Sequence, residues 1–374
     1  MNKEHEYSAL GKTMCDGEYE YYIWGAGITG KLVYQKLKDY IPVIGFIDKD
    51  VEKQSYGVDH IPVFSPKIID SRAKNVRYLI SPAFYGEIAC ELKSKGLQEN
   101  VDFFHSLTFA RIFLLYKYNE AVIYRTDISI TEKCTLKCKK CNMFMPHFKN
   151  PRNRELALLK EDVDAYFDKV AYVFEFKVLG GEPFMYPDLQ EFLCYLMDHY
   201  ADRIGRVEIF TNATLRASEE LLKFIKERGI WVGITDYTNT VPYQKRLEEF
   251  RTDLEQYQIP YRCDKAETWA DFGFPDAPYN LEGEEKLIQH FDACHFEGRG
   301  LYDKRLYFCH MFTSAVRCGL YADSEEDSIA LASDVSKAEI VEFEMGYCKK
   351  GYHDFCRVCR GCRSTIEVPA GEQV

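Results

Sequence analysis

From residue 126 to residue 257 the chain alternates strand-like and helix-like segments, and few architectures accommodate that order. Thr126 to Thr131 alternates polar with apolar residues, and Phe176 to Leu179, Val207 to Phe210 and Ile230 to Ile234 are further strand-like runs. Helical stretches over Leu189 to His199, Ser218 to Arg228 and Gln244 to Tyr257 separate or follow them. A strand that returns through a helix re-enters its sheet in the same direction, so the pattern predicts a parallel sheet or barrel with helices outside. In the last helix Leu247, Phe250, Leu254 and Tyr257 recur at helical spacing, an ordinary core-facing stripe.

A second α/β region lies upstream. Tyr21 to Trp24 reads as a strand, Gly25-Ala26-Gly27-Ile28-Thr29-Gly30 as a glycine-rich turn, Lys31 to Lys38 as a helix and Val43 to Asp48 as the next strand, a β-α-β unit. Val76 to Ile80 and the helix Tyr85 to Gly96, with Ile88, Ala89 and Leu92 on one face, continue it to about residue 118. In this context amides near Gly25, Gly27 and Gly30 face a phosphate at a helix N-terminus, and Asp48 takes a ribose hydroxyl. The stretch is short for a two-half dinucleotide fold, so the expected ligand is a nucleotide or nucleotide-sugar; a docking module without a ligand is the alternative. The expected division is a mobile tail over 1–18, this Rossmann-like domain over 19–118, the main α/β body over 119–285, and a small cysteine-rich module over 286–374.

Fourteen cysteines in 374 residues are too sparse for a disulfide scaffold, which leaves metal or redox chemistry. Cys15, Cys90, Cys194 and Cys263 are scattered and read as small buried side chains. Cys134, Cys138 and Cys141 place three thiols in eight residues directly after a strand. A structural zinc or a closed 4Fe–4S cluster wants four protein ligands, whereas three leave a position open for a substrate or cofactor. Zinc completed by a distant ligand such as His147 is the alternative. The second group is Cys294, Cys309, Cys318, Cys348, Cys356, Cys359 and Cys362. Four of these suffice for one closed cluster, and a zinc ribbon fits the same spacing.

Forty-eight basic against fifty-nine acidic residues give a charge of −11, and without a basic block nucleic acid is not an expected partner. The longest apolar runs, such as Val43 to Ile47, fall far short of the roughly 20 residues that span a bilayer. Residues 1–6 are polar and lack the apolar core of a secretory signal, so no membrane partner and a cytoplasmic location are expected.

Cys134-x3-Cys138-x2-Cys141 with its approach Ile128 to Lys133, then Leu179-Gly180-Gly181-Glu182-Pro183, then Phe210-Thr211-Asn212-Ala213-Thr214, resembles in this order the signatures of the radical S-adenosylmethionine (radical SAM) enzymes. The resemblance covers roughly residues 124 to 365 and implies an α/β fold with a partial (β/α)6 barrel. It implies that Cys134, Cys138 and Cys141 hold a 4Fe–4S cluster whose open iron chelates S-adenosylmethionine. Gly180 and Gly181 would let backbone approach the methionine moiety, Glu182 would accept from its ammonium group, and Thr211 and Asn212 would reach the ribose or carboxylate. Reduced flavodoxin or ferredoxin would supply the electron that generates a 5′-deoxyadenosyl radical, which abstracts hydrogen from a substrate carbon. Two positions depart from the pattern: Lys140 stands where the family usually has an aromatic, and Ala213 where it usually has glycine.

Cys294, Cys309, Cys356 and Cys359, with Cys362 able to replace either of the last two, resemble the ligands of the auxiliary 4Fe–4S cluster in twitch or SPASM extensions. The front domain is similar to that of nucleotide-sugar acyltransferases, also in Gly45 to Asp48 and Ile61 to Phe64. The expected activity is dehydrogenation or epimerisation of a sugar, cyclitol or nucleotide-linked sugar in glycan or natural-product biosynthesis. A maturase of a ribosomal peptide and a non-catalytic iron–sulfur or zinc sensor are the alternatives. No catalytic residue is assigned; Asp236, Tyr237, Trp269 and Asp271 near strand ends are candidates for the substrate side.

Overall fold

The structure, a computed structural model, describes residues 3–70, 75–294, 296–332, 334–348 and 350–374. Compactness divides the chain near residue 124 into two units.

In the first unit helix α1 (Lys3–Cys15) precedes strand β1 (Glu20–Trp24), followed by α2 (Ile28–Leu37), β2 (Val43–Ile47), α3 (Val51–Tyr56), β3 (Val63–Phe64), β4 (Val76–Ile80), α4 (Tyr85–Ser94), β5 (Phe103–His105) and α5 (Ser106–Tyr118). The five strands pair in parallel in the order β3-β2-β1-β4-β5 around a core of Trp24, Ile47, Ile80, Leu92 and Phe103. The order reverses between β1 and β4, the switch point at which doubly wound sheets open a crevice. The expected mobile tail is a helix instead. α1 packs on α5 so closely that a Cβ on Gly11 would lie 2.5 Å from the Tyr116 ring, Met14 is buried, and Arg77 donates to the carbonyls of Met14 (3.1 Å) and Thr13 (2.9 Å) at the helix end. The polar composition of residues 1–18 concealed these contacts with distant parts of the sequence.

The second unit contains β6 (Val122–Ser129), α6 (Leu156–Lys169), β7 (Tyr172–Leu179), α7 (Leu189–Tyr200), β8 (Ile204–Thr211), α8 (Glu219–Glu227), β9 (Trp231–Asp236), α9 (Gln244–Gln256) and β10 (Tyr261–Lys265). Beyond these lie β11 (Thr268–Ala270), α10 (Glu284–Ala293), β12 (Arg299–Tyr302), β13 (Arg305–Tyr307), α11 (His310–Arg317), β14 (Ser328–Ala330), α12 (Lys337–Glu344) and β15 (Glu367–Pro369). One sheet runs β10-β9-β8-β7-β6-β12-β13-β14, in which β12 pairs in parallel with β6. The strand–helix alternation thus closes as a partial barrel of parallel strands. The expected break near residue 285 is not a break in this sheet, because the loop between Cys294 and Cys309 supplies β12 and β13. A small second sheet pairs β11 with β15.

Phe174 and Phe176 on one face of β7 are buried, and Phe176 meets Tyr166 and Phe167 of α6. Glu175 and Lys177 point the other way and are also buried. Lys177 Nζ lies 3.2 Å from both Glu175 and Glu208, and Arg262 Nε lies 2.7 Å from Glu208. Arg206 pairs with Glu175, and Gly233 is required beside this network because a Cβ there would come 2.6 Å from Glu208 Oε1.

Candidate radical and auxiliary centres

The loop after β6 carries Cys134, Cys138 and Cys141, and its backbone is pinned to the end of β7. Ile130 donates to Leu179 O (2.8 Å), Gly181 to Thr131 O (3.0 Å) and Glu182 to Lys133 O (2.8 Å). Contact this close explains the two glycines. A Cβ on Gly180 would stand 2.6 Å from Thr131 O, and one on Gly181 would stand 2.2 Å from Lys133 O and 2.8 Å from the Cβ of Cys134. The pair therefore makes room for the cysteine loop, and both glycines still line the adjoining cavity.

That cavity, of about 470 Å3, is lined by the three cysteines, Gly180, Gly181, Thr211 and Asn212, together with Arg125, Trp269, Phe296 and His310. Sulfur in its wall meets N–H donors: Leu136 N is 3.4 Å and Asn212 Nδ2 3.6 Å from Cys134 Sγ, and Gln373 Nε2 is 3.3 Å from Cys138 Sγ. Such donors suit metal-bound thiolates. Burial pushes the Cys134 thiol up to about 12 and Cys138 to about 11, so metal binding here would displace protons. Among the described residues no three His, Cys, Asp or Glu side chains converge as a single metal ion would need. A cubane, whose cysteines take different corners, makes no such demand. The cysteine set, its N–H donors and the glycine cradle together fit a cluster.

Glu182, expected to accept from the cofactor's ammonium group, lies behind the cavity lining. It is wholly buried, does not line the cavity, and accepts from Thr211 Oγ1 (2.7 Å), Asn212 N (2.9 Å) and Phe184 N (3.2 Å). Burial raises its pKa to about 7 against the pull of these bonds. Its carboxyl fastens the turn after β8 to the turn after β7. Thr211 and Asn212 do reach the cavity wall, and Asn212 Oδ1 also accepts from Thr214 N (2.9 Å). Between them Ala213 adopts φ +55°, the left-handed conformation that explains a glycine preference there; an alanine tolerates it at a cost of about 1 kcal/mol. Lys140 lies 2.9 Å from Asp276, and the aromatic surface missing at its position is provided elsewhere in the wall by Tyr237, Trp269, Phe272 and Phe296.

Sequence reasoning missed the polar side of this cavity. Arg125 grips Asp127 through two bonds (2.7 and 2.8 Å), and Asp127 Oδ2 lies 2.5 Å from His310 Nδ1. His310 lines the cavity, its side chain is 9% exposed, and its Nε2 has no hydrogen-bond partner among the described residues. Gly298 admits the pair, since a Cβ there would lie 2.4 Å from Asp127 Oδ2 and 2.8 Å from His310 Nδ1. Of the substrate-side candidates, Tyr237 and Trp269 line the cavity, whereas Asp271 is paired with Arg360 (2.8 Å) and Asp236 caps Thr238 N (2.8 Å).

The second cysteine group gathers where α10, α11 and the 355–362 turn meet. Cys294 ends α10, Cys309 precedes α11, and Cys294 and Cys362 sulfurs are 3.6 Å apart. Gly361 N donates to Cys359 Sγ (3.3 Å), and Cys309, Cys356, Cys359 and Cys294 lie near enough to act electrostatically on one another. Five thiols therefore share one region, and Cys362 contacts Cys294 directly. Burial pushes Cys309 and Cys359 up to about 12, whereas the Cys362 thiol and nearby amides hold Cys294 down. Cys318 packs beside Cys309 and Cys359 but donates to its own helix at Ala315 O.

In the first unit a cavity of about 410 Å3 opens at the switch point, lined by Gly25, Gly27, Gly30, Asp48, Ser81 and Phe84 among others. Gly30 is required by packing, its Cβ falling 1.9 Å from Gly25 O, whereas a Cβ on Gly27 would meet nothing within 4 Å. Asp48 is already engaged by Ala26 N (2.9 Å), Asp50 N (3.0 Å) and Lys53 Nζ (3.0 Å), so its expected ribose contact competes with these bonds.

Residues 128–257 match the Radical SAM superfamily. Among solved structures the chain is similar to BtrN in complex with AdoMet and 2-DOIA (16% identity over 68% of this chain and 100% of that one, TM-score 0.43). It is similar also to native anSMEcpe with bound AdoMet and Cp18Cys peptide (14%, 67% and 91%, 0.40), and to Streptococcus suis SuiB bound to precursor peptide SuiA (16%, 69% and 76%, 0.29). No curated protein matches it. No helix among the described residues is long and apolar enough to cross a membrane. With its three-cysteine loop set against the Gly-Gly and Thr-Asn turns in one cavity wall, the region over residues 128–257 is a radical SAM domain.

Proposed function

We propose that this radical SAM enzyme abstracts hydrogen from a hydroxylated ring, a sugar, cyclitol or nucleotide-linked sugar, and dehydrogenates or epimerises it. The observation that carries this reading is His310, which lines the same cavity as the three cysteines, is held at Nδ1 by Asp127, and has at Nε2 no hydrogen-bond partner among the described residues. When bound, a 4Fe–4S cluster and S-adenosylmethionine supply a 5′-deoxyadenosyl radical after one-electron reduction by flavodoxin or ferredoxin.

The chain's own residues position and enclose. The Thr211-Asn212 turn, locked by Glu182, presents polar groups to the cofactor, the aromatic wall excludes water, and His310, oriented by Asp127, offers a hydrogen bond to a substrate hydroxyl. Cys294, Cys309, Cys356, Cys359 and Cys362 provide more than the four thiolates an auxiliary cluster needs, and such a cluster would take an electron from the substrate in a net oxidation. The front cavity would hold a nucleotide or the nucleotide part of the substrate.

Anaerobically reconstituted, reduced protein is incubated with S-adenosylmethionine and panels of sugars, cyclitols, nucleotide-sugars and peptides, and 5′-deoxyadenosine is measured. Stimulation by a hydroxylated ring compound supports the proposal. Stimulation by peptides alone supports a peptide maturase, and no 5′-deoxyadenosine at all supports a non-catalytic sensor.

A further inference from the structure

The residues after β15 cross the barrel rim and dock on the three-cysteine loop. Ala370 O accepts from Thr240 Oγ1 (2.6 Å), and Gly371, at φ +74°, packs where a Cβ would lie 2.8 Å from Thr240 Oγ1 and 3.0 Å from the Tyr237 side chain. Lys139 N then donates to Glu372 O (2.8 Å), Val374 N to Lys137 O (2.8 Å), and Lys139 Nζ lies 2.5 Å from Glu372 Oε1. Gln373 stands opposite Cys138 in an antiparallel bridge.

The orientation of the Gln373 amide follows from its partners. Lys137 N, a donor only, meets Oε1 at 2.7 Å, so the NH2 end faces the other way. One hydrogen of that NH2 goes to Gly371 O (2.5 Å) and the other to Cys138 Sγ (3.3 Å). An N–H donor on a cluster thiolate stabilises the more negative, reduced cluster and raises its potential. The lysines of the loop add little to this, because Lys139 and Lys140 are paired with Glu372 and Asp276.

We propose that Gln373 is a positioning residue for the radical-generating cluster, which ties down the cysteine loop through Oε1 and sets the cluster's reduction potential through Nε2–H donation to Cys138. This inference rests on the radical SAM reading of Cys134, Cys138 and Cys141. The test is an anaerobic EPR-monitored redox titration of the reconstituted full chain, followed on the signal that changes when S-adenosylmethionine is added, with iron counted in parallel. Gln373→Glu keeps the acceptor for Lys137 N and loses the donor to sulfur; Gln373→Leu loses both. Both variants are expected to titrate at a lower potential than wild type, and Gln373→Leu alone to lose iron faster on gel filtration. Wild-type potentials in iron-replete variants would overturn the proposal, as would iron loss in Gln373→Leu without a shift in Gln373→Glu. A wild-type protein with no S-adenosylmethionine-responsive signal would instead remove the reading beneath it.

Discussion

His310 Nδ1 and Asp127 Oδ2 lie 2.5 Å apart although 183 positions separate them in the sequence, so the first barrel strand and α11 meet in one cavity wall. Burial alone would raise the Asp127 carboxyl, but the Arg125 charge and the His310 bond carry it well below the ordinary range. Asp127→Asn would leave the partly exposed Arg125 facing a neutral group, and is expected to cost about 1–3 kcal/mol in denaturant unfolding. His310→Gln is expected to retain iron and to lower substrate turnover by about tenfold or more, the worth of one strong hydrogen bond. Unchanged turnover would remove His310 from the substrate side.

Gly181→Ala is expected to abolish the first cluster without unfolding the barrel, because the added methyl meets backbone at Lys133 O instead of a movable side chain. Iron and sulfide analysis would then find about four irons per chain in place of about eight. Eight irons in the variant would contradict the cradle.

Glu182→Ala leaves the Thr211 hydroxyl and the amides of Asn212 and Phe184 without their acceptor. A loss of about 3 kcal/mol in stability is expected, with weaker S-adenosylmethionine binding by calorimetry. Thr211→Val removes one of the three bonds and should lose less. If Glu182→Ala binds the cofactor as tightly as wild type, the turn does not depend on this carboxyl.

The pH dependence of the first unit turns on His105, whose Nδ1 caps α5 by accepting from Thr108 N (3.4 Å). Burial, aided by the Arg111 charge, lowers its pKa to about 4. The unfolded chain, near 6.5, binds the proton more readily, so stability is full above about pH 6.5 and falls as pH drops toward 4, by up to about 3 kcal/mol. His105→Asn keeps a capping acceptor without the titration. Thermal unfolding of the variant across pH 4–7 should show a shallower acid decline than wild type, and parallel curves would refute the assignment.

Gly27 offers a test of the front cavity that does not disturb the fold, since a side chain there meets nothing. Nucleoside diphosphate-sugars at a hundred times their dissociation constant should stabilise the wild type by about 2.7 kcal/mol. Gly27→Val should unfold like wild type and lose this stabilisation. Stabilisation that persists in Gly27→Val would place the ligand elsewhere.

Much of this was legible because it is local. The cysteine loop, the Gly-Gly turn and the Thr-Asn turn each sit at the end of a strand, and strand ends are set by short runs such as Val207 to Phe210. Both faces of β7 are buried, because Lys177 and Arg262 neutralise Glu208 across strands that sequence cannot place side by side. The bonds of Glu182 were hidden for a similar reason: its partners Thr211 and Asn212 lie 29 and 30 residues on. Asp127, His310 and Gln373 carried no motif.

The pairing of β12 with β6 has an evolutionary consequence. An accessory domain joined by a linker can be lost or exchanged between homologues as a cassette. Here the segment between Cys294 and Cys309 is also the neighbour of the first barrel strand, so deleting it would bare an edge with open amides and carbonyls and invite aggregation. Ancestry of the two cysteine groups in this lineage should therefore be shared, with recombination breakpoints falling before β6 and not between them.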